Sequence, residues 1–351
     1  MATLITRRSA LSLAGAATAA AALAACSGES SASSSSASAS GSPSVATSTG
    51  ETPAVVPTGV PAGMGSGAAD GVFPRTVTHF LGSTEIASAP TKIVIISTGQ
   101  IDALLTLGIV PVGSTAAKGA QTVPDYLTSA FSSQAGALAA ITSVGSRTEP
   151  SVESVANLHP DLILMNKAGK DAETLYKSLS NIAATVVTQG TGQYWKQDLL
   201  LLADPLGKTQ QAQTWLDTFH ADAKAAGGKV PGSPTVSLLR KDGDRLRVFG
   251  PLSFAGSVLA DMGVSRPSTQ SFTSGVSQEI STEKLDLADA DRLFYSVQGG
   301  NATELSSMPL WSTLRAVTAG HAVQVQDDPF FLNAGPTAAR VVLDQVSSSL
   351  T

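Results

Sequence analysis

The sequence predicts an α/β protein of two similar halves joined by one long helix, and three observations carry that prediction. Apolar strands alternate with apolar-striped helices over short links, first from Lys92 to Gln189 and again from Thr235 to Gln326. That is the pattern of parallel sheets covered by helices. Between the two runs, residues 209–226 have helical periodicity, with Ala212, Trp215, Leu216 and Phe219 on one stripe. At 1.5 Å per residue this helix extends about 27 Å, enough to bridge two lobes. Finally, SVESVANLHPDLILMN (151–166) and STEKLDLADADRLFYS (281–296) align. In each, a hydroxyl residue precedes a first-turn glutamate, Glu153 or Glu283, and an aspartate further on, Asp161 or Asp291, opens a buried strand.

The elements follow in order. RTVTHFLGSTEIAS (75–88) reads as two short strands about a Leu-Gly-Ser turn. KIVIIS (92–97) is apolar on both faces, as a parallel strand is. Ser97 with Gln100 fits a capping box for the next helix, which buries Ile101, Leu104 and Leu105 and stops at Gly108. VPVGST (110–115) is a second strand. A helix starts near Pro150 with Val152, Val155 and Ala156 inward, and DLILMN (161–166) and ATVVTQ (184–189) are further strands. Helix runs from Trp195 to Ala226, interrupted at DPLG (204–207). TVSLLRKDGDRLRVFG (235–250) is a hairpin turned on Asp-Gly. In FAGSVLADMGV the triplet Met262-Gly263-Val264 repeats the stop of Leu107-Gly108-Ile109, and RLFYSV (292–297) and AVQVQ (322–326) complete the second half.

The front of the chain carries an address. Arg7 and Arg8 precede a small, apolar stretch at 9–25 that closes on LAAC, the layout of an export signal. This stretch is shorter than the ~20 residues of a spanning helix. LAAC resembles the lipobox of bacterial lipoproteins, which implies cleavage before Cys26, lipidation of its thiol and anchoring at the extracytoplasmic face of the cell membrane. A plain secretory signal with an incidental cysteine is the alternative. Cys26 is the only cysteine in the chain, which excludes an internal disulfide and cysteine-based nucleophile or metal schemes. TRR hints at twin-arginine export, but Ala10 stands where that motif favours a bulky residue.

Residues 26–71 are rich in Ser, Ala, Gly, Thr and Pro, and predict a flexible tether. GMGSG (63–67) within it lacks the strand and helix of a nucleotide loop, and composition explains it. The expected divisions are therefore 1–25 signal, 26–71 tether, 72–194 first lobe, 195–228 helical linker and 229–351 second lobe. Net charge is −5, and removing Arg7 and Arg8 with the leader makes the chain more acidic. With no basic run left, nucleic acid is not an expected partner.

Catalytic chemistry finds little support. There is no G-x-S-x-G elbow, no H-E-x-x-H and no usable cysteine, the one at Cys26 being assigned to the lipobox. GKT (207–209) lacks the first glycine of a phosphate loop. The four histidines, His79, His159, His220 and His321, are scattered, with no i, i+4 pair and none at a strand end facing a cleft. A bare metal site and a resident cofactor are therefore not expected. What remains is a binding module, with a surface scaffold that has lost its ligand as another class.

From about Arg75 onward the chain resembles the solute-binding lipoproteins of ABC importers for ferric siderophores, haem and cobalamin. TVTHFLGSTEIASAPTKIVIISTGQIDALLTLGIVPVG, VGSRTEPSVESVANLHPDLILMNK, DRLRVFG and MPLWSTLRAVTAGHAVQVQDDPFF carry the resemblance, in family order. It implies two Rossmann-like lobes joined by a rigid helix, with the ligand between them, in a monomer whose partners are an iron chelate and a permease dimer. It also implies that Glu153 and Glu283 dock on the permease, one per lobe. The local alternative is a first-turn glutamate favoured by the helix dipole. Ser97, Thr98 and Gly99, at a strand end and helix start, would line the cleft and offer N–H and hydroxyl donors. Arg147 matches a ligand-contacting arginine of hydroxamate-siderophore binders, and its planar fork suits chelate oxygens; a surface arginine capping a loop is the alternative. Tyr194 and Trp195 could stack on a ligand or pack in the core. Arg240 and Tyr295 follow strand ends, as do Lys167, Gln298, Phe330 and Phe331. Were haem the cargo, Tyr194 or Tyr295 would be its axial candidate. Trp215 and Trp311 read as core.

Overall fold

A computed structural model describes residues 55–351 apart from 118, 119, 271, 273 and 274; the leader, Cys26 and the tether up to residue 54 lie outside the described residues. A hairpin, β1 (Arg75–His79) with β2 (Gly82–Ile86), opens the body. The first lobe's sheet has β3 (Ile93–Ile95), β4 (Gly113–Ala116), β5 (Thr142–Ser146), β6 (Glu149–Pro150), β7 (Leu162–Asn166) and β8 (Ala184–Thr188) in the order β6-β5-β4-β3-β7-β8. All its pairs are parallel except the β5–β6 edge. The second lobe has β9 (Val236–Asp242), β10 (Arg245–Phe249), β11 (Ser277–Ile280), β12 (Arg292–Val297) and β13 (Ala322–Gln324), ordered β11-β10-β9-β12-β13. Here β12 runs parallel to β9 and β13, whereas β10 is antiparallel to its neighbours.

The two aligned segments do the same physical job. Thr91 N–H and Oγ–H both donate to Asp161 Oδ2 at 2.8 Å, and Lys92 N–H donates to Oδ1 at 2.9 Å. In the other half Thr235 N–H and Oγ–H donate to Asp291 Oδ2 at 2.8 and 2.7 Å. Each aspartate thus pins the start of the neighbouring central strand, setting β7 on β3 and β12 on β9. The helix stops match too. Gly108 and Gly263 take positive φ (78° and 73°), and Ile109 and Val264 N–H reach back to Leu104 and Leu259 O at 2.9 Å. This left-handed end satisfies last-turn carbonyls that would otherwise lack donors.

The lobes are distinct as sheets but not as cores. Ile93, Ile95, Leu162 and Leu164 of the first sheet belong to the same buried cluster as Val236, Leu238 and Phe294 of the second. The helices Gln100–Thr106, Trp195–Ala203, Thr209–Gly227, Phe254–Asp261 and Pro336–Leu350 fill the space between them. The expected long helix is therefore one member of a shared helical layer, with Leu216 and Phe219 fully buried. Only the outer faces are private, around Val94, Ile163 and Met165 in one lobe and Leu239, Leu246 and Leu293 in the other. Lys196, 2 % exposed, ties the layer across its width by donating to both oxygens of Asp261 at 2.7 and 2.6 Å. The C-terminal helix, which the sequence reading left unassigned, is docked on Asp102: Thr337 and Ala338 N–H each donate to its buried carboxylate at 2.9 Å.

Two expectations need correction. The tether does not run free to residue 71. Gly65 pairs with Thr78, Ser66 N–H and Oγ–H donate to Asp204, and Asp70 accepts from Gln210 N–H at 3.1 Å and Gln211 N–H at 3.3 Å. GMGSG is thus a docked strap; its small residues allow a close approach, as a Cβ on Gly65 would lie 2.7 Å from Asp204 Oδ2. Nor does the capping box at Ser97 form. The helix is capped by Gly99 at φ 86°, and Gln100 instead donates to Thr188 Oγ at 3.0 Å.

Candidate functional site

At the carboxyl ends of both sheets, a cleft of about 670 Å³ lies between the lobes. Thr98, Gly99, Arg147 and Trp195 of the expected site line it from the first side, and Arg240 from the second; Gln298 and Phe331 line it too. Gly99 is required here for contact rather than chemistry. A Cβ would meet Ala334 O at 2.7 Å, because the 333–335 loop of the second half crosses directly over this corner. The corner is therefore partly roofed by protein.

Arg147 follows β5, its N–H tied to Ala116 O at 3.0 Å and its side chain exposed. Among the described residues no carboxylate lies within ion-pair distance of it. Arg240 is the opposite case: Nε and Nη2 bond Asp327 at 2.7 Å each and Nη2 also reaches Gln298 Oε1 at 2.6 Å. Its charge is spent on positioning the Asp327 loop. Trp195 is 4 % exposed, edge-on to Trp215, Phe219 and Phe254, with Nε1–H on Ser257 Oγ at 3.0 Å. It is wall rather than an open stacking face.

Three expected site residues stand outside the cleft lining. Ser97 is buried, its Oγ accepting Asn166 N–H at 2.8 Å, a clamp between β3 and β7. Tyr295 points to the outer side of β12, where its ring meets Trp311 at 4.8 Å, because strand alternation turns Phe294 and Ser296 inward. Tyr194 ends a short turn, Gly192–Tyr194, and only its neighbours Gly192 and Trp195 reach the cleft. The two tyrosines are thus not placed to ligate a haem in this cleft. Lys167 lies over the Phe80 ring at 4.7 Å, and Phe330 is core.

The sequence reading missed Arg245 and Arg247, which face the cleft from β10. The signal was available: Leu246 and Val248 are buried in the outer core, so the alternate residues of DRLRVF share the other face. Arg245 pairs with exposed Glu279 at 2.8 Å and Arg247 with Asp242 at 3.2 Å. Burial, then the neighbouring Arg240 and Arg245, pull the Arg247 guanidinium below its usual pKa, and its Nε–H is buried without a partner. Asp198 is a half-buried acid of the cleft wall. It accepts Gln189 and Gly190 N–H at 3.0 and 2.7 Å, yet burial outweighs those bonds and pushes its pKa up to about 6.

Glu153 and Glu283 are both exposed in first helical turns, outside the cleft lining; Ser151 caps the first of those helices by accepting Ser154 N–H. Among the described residues no helix is long and apolar enough to cross a membrane, and no group of three or more His, Cys, Asp or Glu could hold a metal ion.

Such a cleft between two α/β lobes defines a binding protein of the bilobed solute-binding class. The chain belongs to the periplasmic binding protein family, whose profile matches residues 93–329. It is 31 % identical over 78 % of its length, and 87 % of the relative's, to a probable siderophore-binding lipoprotein of Bacillus subtilis. It is 28 % identical to the achromobactin-binding periplasmic protein of Dickeya dadantii, over 74 % of this chain and 86 % of that one. The crystal structure of Staphylococcus aureus SirA with staphyloferrin B superposes with a TM-score of 0.67 at 24 % identity, covering 78 % of this chain and 98 % of the other. That likeness speaks for the fold.

Proposed function

We propose that the protein captures a ferric siderophore between its lobes and delivers it to an ABC-importer permease, held at the extracytoplasmic face of the cell membrane by a lipid on Cys26. The observation that carries the reading is one unneutralised guanidinium in the cleft. Arg147, without an ion-pair partner among the described residues, faces Arg245 and Arg247 from the other lobe. Guanidinium groups bond paired oxygens in two places at once, and the oxygen-rich surface of a ferric chelate offers such pairs. Relatives named for siderophores or ferric citrate support the cargo class. Thr98 supplies a further hydroxyl at the same surface. Glu153 and Glu283, one per half and away from the cleft, suit docking on cationic permease sites. Iron in this reading is cargo that arrives already chelated.

Titration of intrinsic tryptophan fluorescence against ferric hydroxamate, ferric catecholate, ferric citrate, haem and cobalamin tests this, since Trp195 forms part of the cleft wall. Saturable quenching by a ferric chelate is expected. Saturation by haem or cobalamin alone would overturn the cargo, and no saturation by any of them would overturn the binding role.

A further inference from the structure

A second chamber, about 630 Å³, opens beside the cleft and belongs to the first lobe alone. Its walls are Ile96 at the end of β3, Met165 on β7, Pro150, and Ala172 and Leu175 of the helix Ala172–Ser180. It adjoins the cleft, as Thr98, Arg147, Thr148, Asn166 and Ala168 line both spaces. Charge divides the two. The cleft collects four arginines, three of them paired with carboxylates, whereas the chamber is mainly apolar, with Ser97, Thr174 and Ser178 as placed hydroxyls and Lys170 and Asp171 among its exposed residues. Its volume lies within the range of about 300–1,000 Å³ typical of small-molecule pockets, which are mostly apolar with a few placed polar groups.

The other half has a different arrangement at the equivalent strand end. In the internal alignment Met165 corresponds to Tyr295, and at that position the second lobe packs Tyr295 against Trp311, 4.8 Å between rings. The second half closes its outer strand end with this aromatic pair, whereas in the first Met165 is the buried floor of a chamber beside the cleft.

We infer that the chamber holds an apolar arm of the cargo, so that the ligand class is an amphiphilic ferric chelate. Its oxygen-rich head lies between the lobes and its acyl chain lies along Pro150 and Leu175, over a floor closed by the buried Met165. Arg147 stands at the boundary and holds the head where the chain can turn inward. This inference rests on the ferric-chelate reading and adds the chemistry of the second arm.

The test compares two ferric trishydroxamates identical except for an acetyl or a decanoyl substituent. Calorimetric titration uses the full mature chain carrying Cys26→Ser, so that no lipid competes. The decanoyl form is expected to bind at least tenfold more tightly. Ala172→Trp, which fills the chamber, and Leu175→Asp, which puts a charge on its wall, are each expected to bring the ratio near one. Both leave the acetyl form within twofold. Equal affinity of the native protein for the two chelates, or an undiminished ratio in a folded variant of either kind, overturns the chamber's role and leaves the ferric-chelate reading standing. Failure of both chelates to bind overturns the chamber's role, and overturns the ferric-chelate reading as well where ferric catecholate and ferric citrate also fail.

Discussion

The two halves share a scaffold and differ in how their cleft cations are balanced. Asp161 and Asp291 pin equivalent strands to Thr91 and Thr235 with bonds of 2.7–2.8 Å, and Gly108 and Gly263 end equivalent helices. Yet the second half answers each cleft arginine with a carboxylate, whereas Arg147 of the first half has none among the described residues. Duplication preserves what the backbone needs, because a misplaced central strand costs the whole sheet. Cleft charges are free to diverge, since they touch solvent or ligand rather than the fold. The second half is the pre-neutralised wall, and the first presents the cation available to cargo.

The comparison can be broken at several points. Glu153→Ala with Glu283→Ala should abolish uptake in cells while chelate affinity and unfolding midpoint stay unchanged; a parallel loss of affinity would place these residues in the cleft. Arg240→Met should cost about 3–5 kcal/mol of stability in urea unfolding, because Asp327 is left partly buried and unpaired. Arg147→Ala should cost little stability and instead weaken ferric-chelate binding by about 1.5–3 kcal/mol, the range for a charge-assisted bond. If Arg147 behaved as Arg240 does, the contrast between the halves would fail. Asp161→Ala and Asp291→Ala should each cost about 1 kcal/mol, trimmed by their exposure. Unequal losses would show that the two clamps are not equivalent.

The pH response sharpens the contrast between cleft and hairpin. Burial raises Asp198 to about 6, so the folded state holds a proton that the unfolded chain releases near 4. Its contribution to stability is therefore lost as pH rises from about 4 to about 6. Asp198→Asn should flatten that limb of a plot of melting temperature against pH. His79 runs the other way. Burial lowers it to about 4, with Leu81 N–H donating to Nδ1 at 3.2 Å and Thr84 Oγ 2.9 Å from Nε2. The unfolded chain takes up a proton first, and stability falls as pH drops from about 6.5 to about 4. His79→Gln should reduce that loss, with the smallest effect of the set.

Much of the fold was legible because its signals are local. Apolar runs marked β7, β8 and β12, the break at 204–207 separated two helices that end at Ala203 and begin at Thr209, and the paired aspartates exposed the duplication. Site residues on backbone turns, Thr98 and Gly99, were legible for the same reason. What escaped depends on contacts distant in sequence. Tyr295 follows the rule for strand ends, but which face it takes depends on Trp311. Arg245 and Arg247 alternate visibly, yet only the packing of Leu246 and Val248 says which side is the cleft. The strap at 65–71 has the composition of a linker, and two carboxylates, Asp70 and Asp204, override that composition.

That strap has a mechanical consequence. Traction arriving from the leader side of the chain meets Gly65 on Thr78 of β1 first, then Ser66 on Asp204 and Asp70 on the first turn of the helix Thr209–Gly227. The load is thus divided between the opening hairpin and the helical layer, so that neither is pulled on alone.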